Sequence, residues 1–458
     1  MQNSTRICLR STLVVAAAAA AFVTANASAK LTAAEVERLG KDLTPIGAER
    51  AGNAQGSIPA WSGGITKAPS GWNRDEGYAN PFEGETPRFS ITAQNMDQYR
   101  EGLAPGVSAL LKRNPNFRMP VYPTHRTAVF PKDVTDTAKA QATQVEIQGF
   151  GVTNLGGSTV PFPIPKTGLE AIWNHLLRYT GGGVERAGHS FPVRPNGDTY
   201  RIGFHAFRIY DQNMDVQTPN RLFSAMGSFI EPASLKGTTF LVHEPIDQVA
   251  ERRSAWIYNA GARRVRRAPD LGYDGINDGS EGLITTDQVD GYNGAPDRYE
   301  WKLNGKRELF VPYNTYAIGD KKLKYTDIVN KGTVNPNYMR YELHRVWVVD
   351  AVLKPGQSHI YAKRTFYLDE DSWSVLMEET YTGRGDLWRV ALHGQIQYYD
   401  VPFPGYRFGM VHDLDTGGYI IGGLDNELKS VVRFNAKGKV ADFQADALRR
   451  AGGSGGTK

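Results

Sequence analysis

Thiols are almost absent from this chain. Its single cysteine, Cys8, precedes an apolar run within the first 29 residues, so a chain beginning at Lys30 carries no thiol, no disulfide and no lipid-attachment cysteine. Long hydrophobic runs are missing as well. Thr12 to Val23 is short and alanine-rich, and nothing after it approaches the ~20 apolar residues that cross a bilayer. Charge of one sign is not in excess: 53 basic and 48 acidic side chains give +5, too small a bias to imply nucleic acid. The signatures of catalysis are absent too, with no G-x-S-x-G, H-E-x-x-H or P-loop, and no G-x-G-x-x-G opening a helix. Of the 9 histidines, His175, His189, His205 and His243 form one loose group and His344, His359 and His393 another, without metal-ligand spacing. Asp369-Glu370-Asp371 and Glu378-Glu379 offer carboxylates for hydrolysis, but they are expected as turn acids and solvent-facing strand acids. The expectation is a protein that is not an enzyme and needs no metal or cofactor.

What is present begins with an export leader. Arg6 and Arg10 supply a basic start, the apolar run follows, and Ala27-Ser28-Ala29 offers the small residues a signal peptidase reads, which predicts cleavage after Ala29 and a periplasmic protein. The remainder is long enough to bury a core without disulfides. Its 49 Gly and 25 Pro, with 22 Tyr, 19 Phe and 8 Trp, predict many turns between short aromatic-bearing strands.

Residues 30–165 are expected as short helices and an irregular arm packed on the main domain. Thr32 and Glu35 form a capping box, LTPIGAERAGNAQGSIPAWSGG sets Ile46, Ile58 and Trp61 among turn formers, and a second helical patch spans about Thr92 to Arg113 with a break at Pro105. A main domain of one helix and an antiparallel sheet is expected over 166–450, with a frayed tail at 451–458. The helix follows PFPIPKTG: Thr167 caps it, Glu170 is the acid three residues on, and Leu169, Ile172, Trp173, Leu176 and Leu177 make one apolar stripe. That stripe either packs permanently on the sheet or covers a ligand cavity as a lid. From Thr199 onward strands dominate, beginning with TYRIGFHAFRIY and RLFSAMGSFI, and the clearest hairpin turns at Asp369-Glu370-Asp371. Tyr273 to Gly294 is rich in Asp but fits no EF-hand register. Arg263, Arg264, Arg266 and Arg267 project from both faces of one strand, either solvated and ion-paired or forming a site for an anionic group or acidic partner.

Four blocks carry a resemblance: the arm sequence above, FSITAQNMDQYREGLAPGVSALLKRNPNFRMPVYPTHRTA, PFPIPKTGLEAIWNHLLRY and SAWIYNAGARRVRRAPD. In order and spacing they resemble the exported bacterial family catalogued as domain of unknown function 1329. The part from Thr199 also resembles the lipoprotein-carrier (LolA/LolB-like) class. The resemblance implies an α+β, mainly β fold, a large curved antiparallel half-barrel covered by helices. It also implies company, namely an outer-membrane protein and an inner-membrane exporter of the resistance-nodulation-division type. Residues before Thr199 have no counterpart in the lipoprotein carriers.

Together these readings predict a periplasmic, non-enzymatic carrier of lipid-like molecules. Trp173, Phe204, Phe229, Trp256, Tyr258, Trp301, Trp347, Phe366 and Trp388 are the expected ligand wall. A chain of ~12 carbons would bring roughly 10 kcal/mol of burial at ~0.8 kcal/mol per methylene. The alternatives are a structural adaptor between membrane partners and a lipid or glycan hydrolase.

Overall fold

The computed structural model describes residues 30–248, 250–429 and 432–453; the predicted leader and residues 454–458 lie outside them. The chain opens with α1 (Ala33–Glu37), where Thr32 and Glu35 cap each other in both directions. The arm that follows buries Leu43, Ile46 and Ile58. Next come β1 (Phe89–Ile91), α2 (Pro105–Arg113), β2 (Met119–Val121), α3 (Lys132–Gln141), the hairpin β3 (Glu146–Gln148) and β4 (Gly151–Thr153), and α4 (Gly168–Leu177). Pro105 starts α2 instead of breaking a longer helix, as its missing N–H permits at a first helical position. Thr167 caps α4 by accepting the Glu170 N–H at 3.2 Å.

The main sheet is then laid down as β5 (Gly183–Val193), β6 (Ile202–Tyr210), β7 (Arg221–Glu231), β8 (Thr239–Pro245), β9 (Ser254–Asn259), β10 (Arg264–Arg267) and β11 (Tyr299–Pro312). After the short α5 (Tyr325–Ile328) it continues as β12 (Tyr341–Leu353), β13 (Lys363–Asp369), β14 (Val375–Tyr381), β15 (Leu387–Tyr398), β16 (Phe403–Asp413) and β17 (Tyr419–Leu424), before α6 (Ala445–Gly453). With β1 and β2 these form one 15-stranded sheet. Strands β5 to β10 make one antiparallel meander and β11 to β17 another. The last strand, β17, joins them by pairing with β5, Ile420 opposite Pro192. Because β10 pairs with β9 and β11 with β12, leaving both at edges, the sheet is not closed into a barrel. It is mixed, since β2 meets β12 in parallel at Val121 and Tyr341. The joining strand β5 falls before the region expected to hold strands; its sequence, GVERAGHSFPV, is too polar and glycine-bearing to read as one.

Helices cover different parts of the sheet. Helix α4 packs on β11 and β12, with Ala171, Ile172 and Trp173 fully buried and the Trp173 indole N–H donated to the Phe150 carbonyl at 2.9 Å. Helix α6 covers β8, β9 and β10 through Leu448 and the nearby Phe443, and it includes 451–453, which were expected to fray. No helix among the described residues is long and apolar enough to cross a membrane.

The acids of the β13–β14 hairpin depart from expectation. Asp369, Glu370, Asp371, Glu378 and Glu379 are all buried. The arm explains the first three, because it lies over the turn: Trp373, at φ 59°, donates its indole N–H to the Ile46 carbonyl at 3.1 Å, and the Glu49 N–H is donated to Glu370 at 3.3 Å. Arg126 then closes on Asp371 at 2.7 and 2.8 Å, and Arg345 and Lys306 on Glu370 at 2.7 and 2.8 Å. Buried carboxylates need such partners.

Candidate functional site

A cavity of about 440 Å³ opens between the two meanders. Its walls come from β5 to β9 on one side and from β15, β16 and β17 on the other. Alternation in the strands makes the wall. On β6, Phe204, Ala206 and Arg208 face inward, and on β7, Phe223, Ala225 and Phe229 do so. Small residues between large ones leave the space. A side chain at Gly227 would collide with Phe240, and one at Gly188 would crowd Phe204, so glycine at these places lets the rings lie flat along the wall.

The cover is the Asp-rich segment 271–293, which contributes Leu271, Ile284, Val289 and Asp290 to the lining. It is held by apolar packing, with Tyr292 buried against Trp301 and Phe366, and by charge. Arg364, fully buried, pairs with Asp287 at 2.8 Å and with Glu378 at 2.6 Å; His359 meets Asp287 at 3.1 Å, and Gln288 donates to Glu378 at 3.0 Å. Burial opposes the Asp287 charge, but the Arg364 guanidinium and His359 hold the carboxyl well below the usual carboxylate range. Burial pushes Glu378 up in spite of Arg364.

One end of the cavity is polar. Asp290 pairs with Arg178 at 2.9 Å and lies 3.6 Å from Arg208; burial again opposes its charge, yet the two arginines bring it down to about 2. Arg208 donates to the Thr180 hydroxyl at 3.0 Å. Arg186 donates to the carbonyls of Arg407 and Gly423 at 2.8 and 2.9 Å and stands 5.1 Å over the Tyr406 ring. His393, 6% exposed, lines the same end, and neither of its ring nitrogens has a hydrogen-bond partner among the described residues. Burial lowers it to about 4, so its imidazole is neutral at pH 7.

Of the residues expected at a ligand wall, Phe204 and Phe229 line this cavity. Trp256 and Tyr258 lie on the opposite face of β9, packed with Phe443 and Leu448, while Ile257 between them faces the cavity. Trp301, Trp347 and Phe366 stand under α4, where Trp301 stacks on Phe366 at 5.8 Å and Trp347 on Trp373 at 6.0 Å. Trp173 belongs to that packed region, and no residue of α4 lines the cavity. Trp388 lies under the Arg389 guanidinium and donates to Asp413 at 3.0 Å. Arg263, Arg264, Arg266 and Arg267 are exposed along the edge strand β10 and its entry, without an ion pair among the described residues; Arg267 rests 5.7 Å from the Trp256 ring. Arg186, Arg208, Phe223, Phe240 and His393 are cavity residues that side-chain size alone does not single out. Strict parity along each strand finds Phe223, Ala225 and Phe229 together, and Phe204, Ala206 and Arg208.

His344, Asp369 and Asp371 bring ligand atoms within 4.8 Å of one another, a grouping that spacing does not reveal because the residues meet across strands. Arg126 grips Asp371, Tyr313 and Gln395 donate to one Asp369 oxygen at 3.0 and 3.2 Å, and His344 meets Glu342 at 3.0 Å. These partners occupy Asp371 and one Asp369 oxygen, and the other Asp369 oxygen has no hydrogen-bond partner among the described residues. Burial, with the nearby Asp371 charge, lifts Asp369 to about 6.

An open, largely antiparallel sheet that walls an apolar cavity with one charged end defines the class of structure. The chain belongs to the DUF1329 family, proteins of unknown function, whose family model matches residues 90–449. It is 46% identical over 431 residues to the uncharacterized protein PA3922 of Pseudomonas aeruginosa, covering 93% of this chain and 94% of that one. A DUF1329 family protein from Desulfovibrio piger is similar at 14% identity and TM-score 0.41, over 59% of this chain and 92% of that one. A domain from Vibrio parahaemolyticus, provisionally assigned to outer-membrane lipoprotein sorting, is similar at 15% identity and TM-score 0.43, over 59% of this chain and 93% of that one.

Proposed function

We propose that this protein is a periplasmic, non-enzymatic carrier that holds a lipid-like molecule in the cavity between β5–β9 and the segment 271–293. The observation that carries the reading is the cavity itself: about 440 Å³ of space walled by Phe204, Phe223, Phe229 and Phe240 lies within the size range of small-molecule sites. An apolar chain along these rings would gain the dispersion contacts of a packed core. The Ala27-Ser28-Ala29 leader signal supports export.

The arginines of β10 support a second contact, with a partner. Arg263, Arg264, Arg266 and Arg267 lie on an unpaired sheet edge, which suits an acidic surface on an outer-membrane protein or an inner-membrane exporter. Replacing all four by Gln is expected to weaken that contact most at low salt. The carrier reading is tested by native mass spectrometry of protein purified without detergent, followed by organic extraction. A co-purifying hydrophobe at near one-to-one ratio is the expected result; protein that is empty and takes up no fatty acid or phospholipid afterwards contradicts it.

A further inference from the structure

The charged end of the cavity narrows the ligand class, and this step rests on the carrier reading. Three guanidinium groups, Arg178, Arg186 and Arg208, stand at that end against the single carboxylate of Asp290. Arg178 already satisfies Asp290 at 2.9 Å, while Arg208 stays at 3.6 Å, beyond a hydrogen bond, and Arg186 donates only to neutral carbonyls. Three guanidinium groups thus share one carboxylate, and Arg186 has no carboxylate within ion-pair distance among the described residues. Beside them His393 is buried with both ring nitrogens unpartnered, a costly arrangement for a polar side chain facing a hollow. The Tyr406 ring connects the group, 5.1 Å from the Arg186 guanidinium and 6.3 Å from the His393 ring. The wall from Phe204 to Phe240 and Ile257 is mainly apolar, and the Arg253 guanidinium in the lining is already paired with Glu244.

We propose that the cavity takes an anionic single-chain amphiphile, its carboxylate or phosphate held by Arg186, Arg208 and His393 and its chain lying along the phenylalanines of β6, β7 and β8. The volume sets the chain number. At about 440 Å³ the cavity stands near the low end of the range for small-molecule sites, which suits one acyl chain and excludes a triacylated anchor.

The test is calorimetric titration of the full chain from Lys30 with dodecanoate, dodecyl phosphate and the neutral dodecanol. At least one anionic ligand should bind about tenfold or more tighter than dodecanol, the gain expected of one charge-assisted hydrogen bond; the tighter of the two tells carboxylate from phosphate. Arg186→Gln and Arg208→Gln should abolish the preference, and Arg208→Lys, which keeps the charge and guards against a folding artefact, should retain most of it. Equal affinity for all three ligands, or an anion preference unmoved in both Gln variants, overturns the head-group assignment while leaving the carrier reading in place. Absence of binding by all three overturns both.

Discussion

Two regions of the sheet, β11–β14 and β5–β9, share strand chemistry and antiparallel connectivity but differ in what covers them. Under α4, the β11–β14 half is solid: Ile172, Trp173, Trp301, Trp347, Phe366 and Trp373 fill the layer between helix and sheet. Over β5–β9 the cover is the irregular segment 271–293, fixed at Asp287, Gln288 and Asp290 by ion pairs and hydrogen bonds, and a cavity remains beneath it. A helix delivers an apolar stripe every three to four residues and so fills the groove it crosses. A loop tethered by Asp–Arg pairs is placed without delivering that volume. Hollowness here follows from the kind of cover together with the small residues Ala206 and Ala225 on the sheet.

Removing the Arg364 guanidinium should have the largest effect, because it sits between Asp287 and Glu378 and ties the cover to the sheet. Arg364→Ala takes the shared guanidinium from two buried carboxylates; a loss of about 3–5 kcal/mol in urea unfolding is expected, together with loss of ligand binding. Trp173→Ala should cost a similar ~3–5 kcal/mol through the void it leaves in the packed half, yet preserve any ligand-induced rise in melting temperature. A normal fold with impaired binding in that variant would return α4 to the role of a lid.

Acid separates the halves more finely. His175, partnered on both ring nitrogens in the packed half, is held by burial at about 3, and His393, unpartnered at the cavity, at about 4. The unfolded chain therefore binds more protons below the ordinary value of 6.5. Stability should be full above that pH and fall as pH drops from 6.5 toward 4, by an amount on the order of 3 kcal/mol for each histidine. His393→Gln should remove its share of that slope at little cost at pH 7, whereas His175→Gln should destabilise at every pH. Equal behaviour of the two variants would erase the distinction.

Much of this is legible in the sequence and some is not. The Thr32 and Thr167 caps, the edge-strand arginines and the antiparallel meander follow from local patterns that tertiary context did not override. Side-chain size misled at β9, since Trp256 and Tyr258 are the bulkier residues but share the outer face, while Ile257 points inward. Burial of Asp369, Glu370 and Asp371 depends on Arg126 and on the arm, both more than 200 residues away in the chain. Nothing local announces that pairing. The cover segment was visible only as an Asp-rich stretch, because its partners Arg178, Arg364 and Glu378 lie on other elements.

The smallest stability effect and the most direct test come from filling the space. Ala225→Phe places a ring in the cavity, and Ala351→Phe places one in the fully buried layer beneath α4. Ala225→Phe is expected to fold within about 1 kcal/mol of the parent and no longer bind dodecanoate, while Ala351→Phe loses about 1–3 kcal/mol through overpacking and the folded fraction binds normally. Unchanged dodecanoate binding by a well-folded Ala225→Phe protein would contradict the claim that this cavity is the ligand site.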